Sequence, residues 1–92
     1  MITSFRHRGL KRLYERGDAS GVRPDLLDKV RTILAQLDAA QNVEGMKLPG
    51  LRLHALKGDL KGYYAVTVKT NWRIIFRFEG GDVQDIELVD YH

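Results

Sequence analysis

The chain of 92 residues ends on Val89-Asp90-Tyr91-His92, so three consecutive side chains can each give or take a proton. Further polar chemistry lies upstream: His54 with Lys57 three residues on, and Arg73 directly after Asn71-Trp72. A general acid or base works best when its pKa lies near the ambient pH, and histidine comes closest to that condition. His92 would also carry the terminal carboxylate. That fixed negative charge favours the protonated ring and raises its pKa from an ordinary value of about 6.5. With the cations Lys57 and Arg73 added, the set fits cleavage of RNA by internal attack. One group takes the 2′-hydroxyl proton and another protonates the departing 5′-oxygen. The cations stabilise the extra negative charge of a phosphorane-like transition state. Neither metal nor cofactor is needed, and DNA lacks the hydroxyl that attacks. Which of His54 and His92 is base and which is acid stays open, as does the place of Asp90.

Other chemistries find less support. There is no cysteine, hence no disulfide framework and no thiolate metal site. His54, Asp90 and His92 are three possible metal ligands, but their spacing matches no compact metal motif. Gly58-Asp59-Leu60-Lys61-Gly62 is a turn without the helix that a phosphate-cradling loop requires, and no serine sits in a nucleophile elbow.

The elements that must hold these residues follow from periodicity. Ile2 to Phe5 reads as a short edge strand. Leu10, Leu13 and Tyr14 recur at helical spacing and Gly17 is a natural stop. Pro24 suits the first turn of a second helix, whose stripe is Leu27, Val30, Leu34 and Leu37, widened by Leu26, Ile33 and Ala40. Strands follow, each with period two: Leu51-Leu53-Ala55, then Tyr64-Val66-Val68, then Trp72-Ile74-Phe76-Phe78, then Ile86-Leu88. Glu79-Gly80-Gly81-Asp82 makes the last hairpin turn. This is an α+β plan in one domain, residues 1–92, with a helical pair on one face of a small antiparallel, meander-like sheet. If Trp72, Ile74, Phe76 and Phe78 face the helices, then Arg73 and Arg77 face away. His54 and Arg52 leave the core side by the same rule. The result is a cationic concavity, with Lys57 just beyond its strand and no evident carboxylate partner.

Fifteen Lys and Arg against twelve Asp and Glu leave a formal charge of +3, and the pI of about 9.4 suits a polyanionic partner. No run of 18 apolar residues and no signal-peptide core is present, so a soluble, cytoplasmic protein is expected.

Several blocks, in this order, resemble the HigB-type toxins of the RelE/ParE superfamily: Ser4-Phe5-Arg6-His7-Arg8-Gly9-Leu10-Lys11, Leu53-His54-Ala55-Leu56-Lys57-Gly58-Asp59, Gly62-Tyr63-Tyr64-Ala65-Val66, Asn71-Trp72-Arg73-Ile74 and Asp90-Tyr91-His92. The resemblance spans essentially the whole chain. It implies a RelE-like fold and a bacterial toxin that cuts messenger RNA in the ribosomal A site, needing no cofactor. A HigA-like antitoxin would neutralise it, and neither a membrane nor a small-molecule substrate would be involved. By position, His54, Asp90, Tyr91 and His92 would form the catalytic centre, and Lys57 and Arg73 would hold the scissile phosphate. Asn71 and the basic residues Lys61, Lys69 and Arg77 would contact RNA. The runner-up is a non-catalytic inhibitor on the same fold, as in the gyrase-poisoning branch. A plain nucleic-acid-binding module comes third. Neither alternative explains a tail of Asp90-Tyr91-His92.

Overall fold

The computed structural model describes residues 1–90; Tyr91 and His92 lie outside the described residues. Helix α1 (Arg8–Arg16) starts where the imidazole of His7 accepts a hydrogen bond from Leu10 N at 3.1 Å. It stops at Gly17, whose φ of 69° lets its N–H turn back to the carbonyls of Arg12 and Leu13. Within α1, Gly9 lies so close to the Gly21 backbone that no Cβ fits between them. Helix α2 (Leu27–Ala39) begins later than Pro24 suggests. Pro24 sits in a preceding turn, where its carbonyl accepts from Leu27 N. A 3₁₀ turn (Val43–Met46) leads on to the sheet.

The sheet has four strands in the order β1-β2-β3-β4: His54–Ala55, Tyr64–Lys69, Trp72–Glu79 and Asp82–Asp90. All pairs are antiparallel. The Gly80-Gly81 turn has φ of 59° and 90°, the two positive values that a two-residue hairpin loop asks for. The anticipated Leu51–Leu56 strand shrinks to His54–Ala55. Arg52 adopts φ 53°, which breaks the extended run; beyond the two paired residues, the Leu51 carbonyl accepts from Thr67 N at 2.7 Å and Leu56 N donates to the Tyr63 carbonyl at 2.9 Å. Ile2 to Phe5 does line a sheet edge. Ile2 and Phe5 bridge in parallel to Val83 and Ile86 on the outer side of β4.

Both helices pack on one face of the sheet, and one apolar core lies between. Leu10, Val30, Ile33 and Leu37 meet Val66, Ile74, Phe76 and Ile86, all fully buried. Phe76 anchors the middle, with the rings of Tyr64 and Phe78 at 6.2 and 5.9 Å. Trp72 and Phe78 are half-buried against this core, as the alternation of β3 requires.

Asp38 on α2 ties the outer layer together. Its Oδ1 accepts from Ile2 N at 3.0 Å and from the Tyr14 hydroxyl at 2.8 Å. The Ile2 backbone bond and then the Tyr14 bond hold the Asp38 carboxyl below its ordinary pKa, and the same bond raises the Tyr14 phenol. A depressed carboxyl stabilises the fold above its unfolded pKa, and that stability is lost as pH falls through the lower, folded value. Both groups are solvent-exposed, so Asp38→Ala is expected to cost about 1 kcal/mol near pH 6. The gap between urea melts of wild type and variant should narrow as pH falls below the ordinary carboxylate value of about 3.9. A gap that does not narrow would show that the carboxylate charge plays no part.

Candidate active site

Residues directly opposite one another in an antiparallel pair share a face of the sheet. The register therefore builds the face turned away from the helices row by row. One row is His54, Ala65, Ile75 and Glu87 across β1 to β4. The next is Thr67, Arg73 and Val89. Two residues the other way along β3 lies Arg77, whose guanidinium carbon is 5.7 Å from the centre of the Tyr63 ring. Ala65 and Ile75 are buried although they stand apart from the main core. They make a small apolar floor beneath the polar rim of His54, Arg73, Arg77 and Glu87.

His54 is exposed, and its Nδ1 lies 3.0 Å from the Arg52 carbonyl oxygen. A carbonyl can only accept, so Nδ1 carries the proton in this contact, and in the neutral form of the ring the lone pair left to take a proton is that of Nε2. The left-handed φ of Arg52 is what points that carbonyl back at the ring. Arg73 is half-buried. Its Nη1 donates to the carbonyls of Thr70 at 2.7 Å and Trp72 at 3.2 Å, which moors the guanidinium to the β2–β3 turn. Among the described residues, Nε and Nη2 keep their donors for another acceptor. Two strand spacings and one row separate the His54 and Arg73 backbones, about 12 Å. Side chains reaching inward from both can hold one phosphodiester between them.

The other sequence candidates are distributed unevenly. Lys57 and Lys61 are exposed on either side of the 3₁₀ turn Gly58–Leu60 and have no ion pair among the described residues. Asn71 stands exposed in the turn between β2 and β3. Arg77 is not the partnerless cation that the alternation suggested. Its Nη2 lies 2.8 Å from Asp85 Oδ2, and it also donates to Gln84 Oε1 at 3.2 Å. A β-bulge after Ile75, with Asp85 at φ 54°, brings that carboxylate to this face. Lys69 is likewise paired, 3.6 Å from Asp25.

Asp90 closes β4 opposite Trp72, and it alternates in step with Leu88, so its side chain leaves the strand on the helix side. There it lines a cleft of about 260 Å³ with Arg23, Asp25, Lys69, Asn71 and Trp72. Burial pushes the Asp25 carboxyl up, but the Arg23 bonds and the charges of Arg23 and Lys69 outweigh it and hold that carboxyl low. The structure thus brings His54 and Arg73 onto one face and sets Asp90 at the sheet end, around the Trp72 corner. Tyr91 and His92 fall outside the described residues. No three His, Cys, Asp or Glu side chains converge on a metal-sized site among the described residues. The left-handed backbone of Arg52 and the places of Glu87 and Asp85 on this face were not anticipated. A left-handed arginine and a bulged aspartate leave no mark in hydrophobic periodicity.

Comparison with known proteins adds to this geometry. Residues 3–92 match the family described as the RelE-like toxin of type II toxin–antitoxin system HigB. The chain is 42% identical to the endoribonuclease HigB of Proteus vulgaris over 92 residues, all of both chains. It is 30% identical to toxin HigB-1 of Vibrio cholerae serotype O1 over 83 residues, 88% of this chain and 87% of the other. Its fold matches YoeB in the YoeB–YefM complex from Staphylococcus aureus with a TM-score of 0.64 at 19% identity, covering 100% and 95% of the two chains.

The Arg52 contact makes a specific prediction. Long-range ¹H–¹⁵N spectra at a pH where His54 is neutral should show its proton on Nδ1. A ring carrying the proton on Nε2 would remove that lone pair and the base geometry with it.

Proposed function

This chain belongs to the HigB-like toxins of type II toxin–antitoxin systems, and from that premise we propose that it is an endoribonuclease acting on messenger RNA in the ribosomal A site. Its two full-face groups, His54 and Arg73, support this reading together with the 42% identity to a protein named as an endoribonuclease. In the proposed reaction His54 Nε2 takes the proton from the 2′-hydroxyl. The oxygen attacks the adjacent phosphorus, the bond to the 5′-oxygen breaks, and a 2′,3′-cyclic phosphate remains. Arg73, held by Thr70 and Trp72, donates its free N–H groups to the phosphoryl oxygens as charge builds there. Lys57 adds a second cation. Protonation of the leaving 5′-oxygen falls to His92, with Tyr91 next to it in sequence; Asp90, whose side chain leaves β4 on the helix side, does not face the scissile phosphate in this reading. All these roles are filled by side chains, so the step is written without a metal.

The observation that carries the proposal is that a histidine aimed by a backbone carbonyl and an arginine aimed by two others lie on one sheet face. As the toxin of a type II module, the chain has an antitoxin partner. That the partner is HigA-like, and that the ribosome presents the substrate, belong to the proposal. Asn71, Lys61 and Lys69 are its outer RNA contacts. Arg77, whose charge Asp85 already compensates, acts there by its shape more than by its charge.

Arg73→Ala should lower the cleavage rate by about 10²–10³ while leaving the fold intact, because the buried side of β3 is untouched. His54→Ala and deletion of His92 should each cost about 10²–10⁴. Single-turnover cleavage of a defined mRNA, with and without ribosomes, reads all three and tests the ribosome requirement in the same assay. Near wild-type cleavage by folded Arg73→Ala would remove it from the site. Expression of the chain alone should arrest bacterial growth, and normal growth with folded protein present would count against the toxin activity.

A further inference from the structure

The polar rim continues beyond the two proposed catalytic groups to a cluster that the reaction does not use. Tyr63 precedes β2 and is half-buried, yet it takes no part in the core, which engages its neighbour Tyr64 instead. Its hydroxyl accepts from Arg6 Nη1 at 3.3 Å. Among the described residues that hydroxyl has no acceptor for its own hydrogen, and Arg6 has no carboxylate partner. One phenol donor and the remaining guanidinium donors of Arg6 therefore meet at one point, where an anionic oxygen accepts from both and also answers the Arg6 charge. Above the same ring lies the Arg77 guanidinium. Asp85 and Gln84 clamp it, with Nε 3.0 Å from Asp85 Oδ2 and Nη2 3.2 Å from Gln84 Oε1. The clamp compensates the charge of Arg77 and fixes its plane.

We propose that Arg6, Tyr63 and Arg77 form a subsite for one nucleotide of the RNA substrate, with its base on the Arg77 guanidinium above Tyr63 and its phosphate on Arg6 and the Tyr63 hydroxyl. The inference rests on the RNA-cleaving reading and extends it. Single-stranded RNA is commonly held this way, its bases stacked on aromatic rings or guanidinium planes and its phosphates on free cations. Here the two jobs fall to different arginines, one neutralised and one not. Arg73 and Arg77 are four residues apart on β3, about 14 Å of sheet. A stacked nucleotide rises only about 3.4 Å. The base received at Arg77 therefore belongs to a neighbour of the two nucleotides at the cut, and the subsite positions the strand without touching the reacting atoms.

The test uses short synthetic mRNAs programmed on ribosomes, with one abasic nucleotide moved through four positions on either side of the cut. Base stacking of this kind is worth about 5- to 150-fold. For wild type, one position not flanking the cut should raise KM by that factor and leave kcat unchanged. Tyr63→Ala should raise KM on the intact mRNA by a similar factor and abolish the abasic penalty. Tyr63→Phe keeps the ring and should keep the penalty. Arg6→Ala should lower the slope of log affinity against log salt by about 0.7, one phosphate contact fewer. A Tyr63→Ala protein that still pays the abasic penalty overturns the subsite, as does a wild type with no penalty beyond the flanking nucleotides. If Tyr63→Ala fails to fold by circular dichroism, an unchanged salt slope in Arg6→Ala overturns it instead. Wild type that cuts none of these RNAs would overturn the ribonuclease reading itself, an outcome distinct from cutting without the subsite.

Discussion

The alternation of β3 is the constraint on which the rest depends. Trp72-Arg73-Ile74-Ile75-Phe76-Arg77-Phe78 lies between β2 and β4 and serves both faces of the sheet. Ile74 and Phe76 are fully buried against the helices, so Arg73 and Arg77 have only the opposite face to occupy. A one-residue slip would bury two guanidinium groups and expose the Phe76 ring, and the desolvation of unpaired charge alone forbids it. The apolar core therefore aims the cations. Ile75 adds to this by standing between the two arginines and closing the floor with Ala65.

Charge compensation then sorts those cations into different roles. Asp85 answers Arg77 and Asp25 answers Lys69, while Arg73 is moored by neutral carbonyls that leave its charge available. A guanidinium held by carbonyl oxygens stays ready for an anion, whereas one locked to a carboxylate has little net field to offer. Counting basic residues along the chain treats these cases as equal, but the folded face does not.

The N-terminal segment contributes more than an edge. It pairs with β4 through Ile2 and Phe5, covers backbone groups that would otherwise be open to another strand, and brings Arg6 toward Tyr63. Ser4 also bonds to the Asp85 backbone N–H at 2.9 Å, at the residue whose bulge delivers a carboxylate to Arg77. Edge protection, bulge geometry and the orientation of Arg77 are thus one connected arrangement of hydrogen bonds.

The amino-acid sequence by itself determined the elements whose signals are local. The Leu27-Val30-Leu34-Leu37 stripe marked α2, Gly17 marked the end of α1, Gly80-Gly81 marked the last hairpin, and period two in β2, β3 and β4 separated core from rim. It also placed His54 and Arg73 away from the core, and its blocks carried the resemblance to a toxin family that the whole-chain match bears out. Only the tertiary structure decided matters that need two distant segments at once. It shortened β1 through the left-handed Arg52, moved the start of α2 past Pro24, buried Ala65 and Ile75 on the face read as open, and gave Arg77 and Lys69 their carboxylates. It also sent Asp90 off its strand on the side opposite His54. Periodicity records which way a side chain points relative to its own element. Register, bulges and ion pairs depend on which other element arrives beside it, and packing alone chooses that.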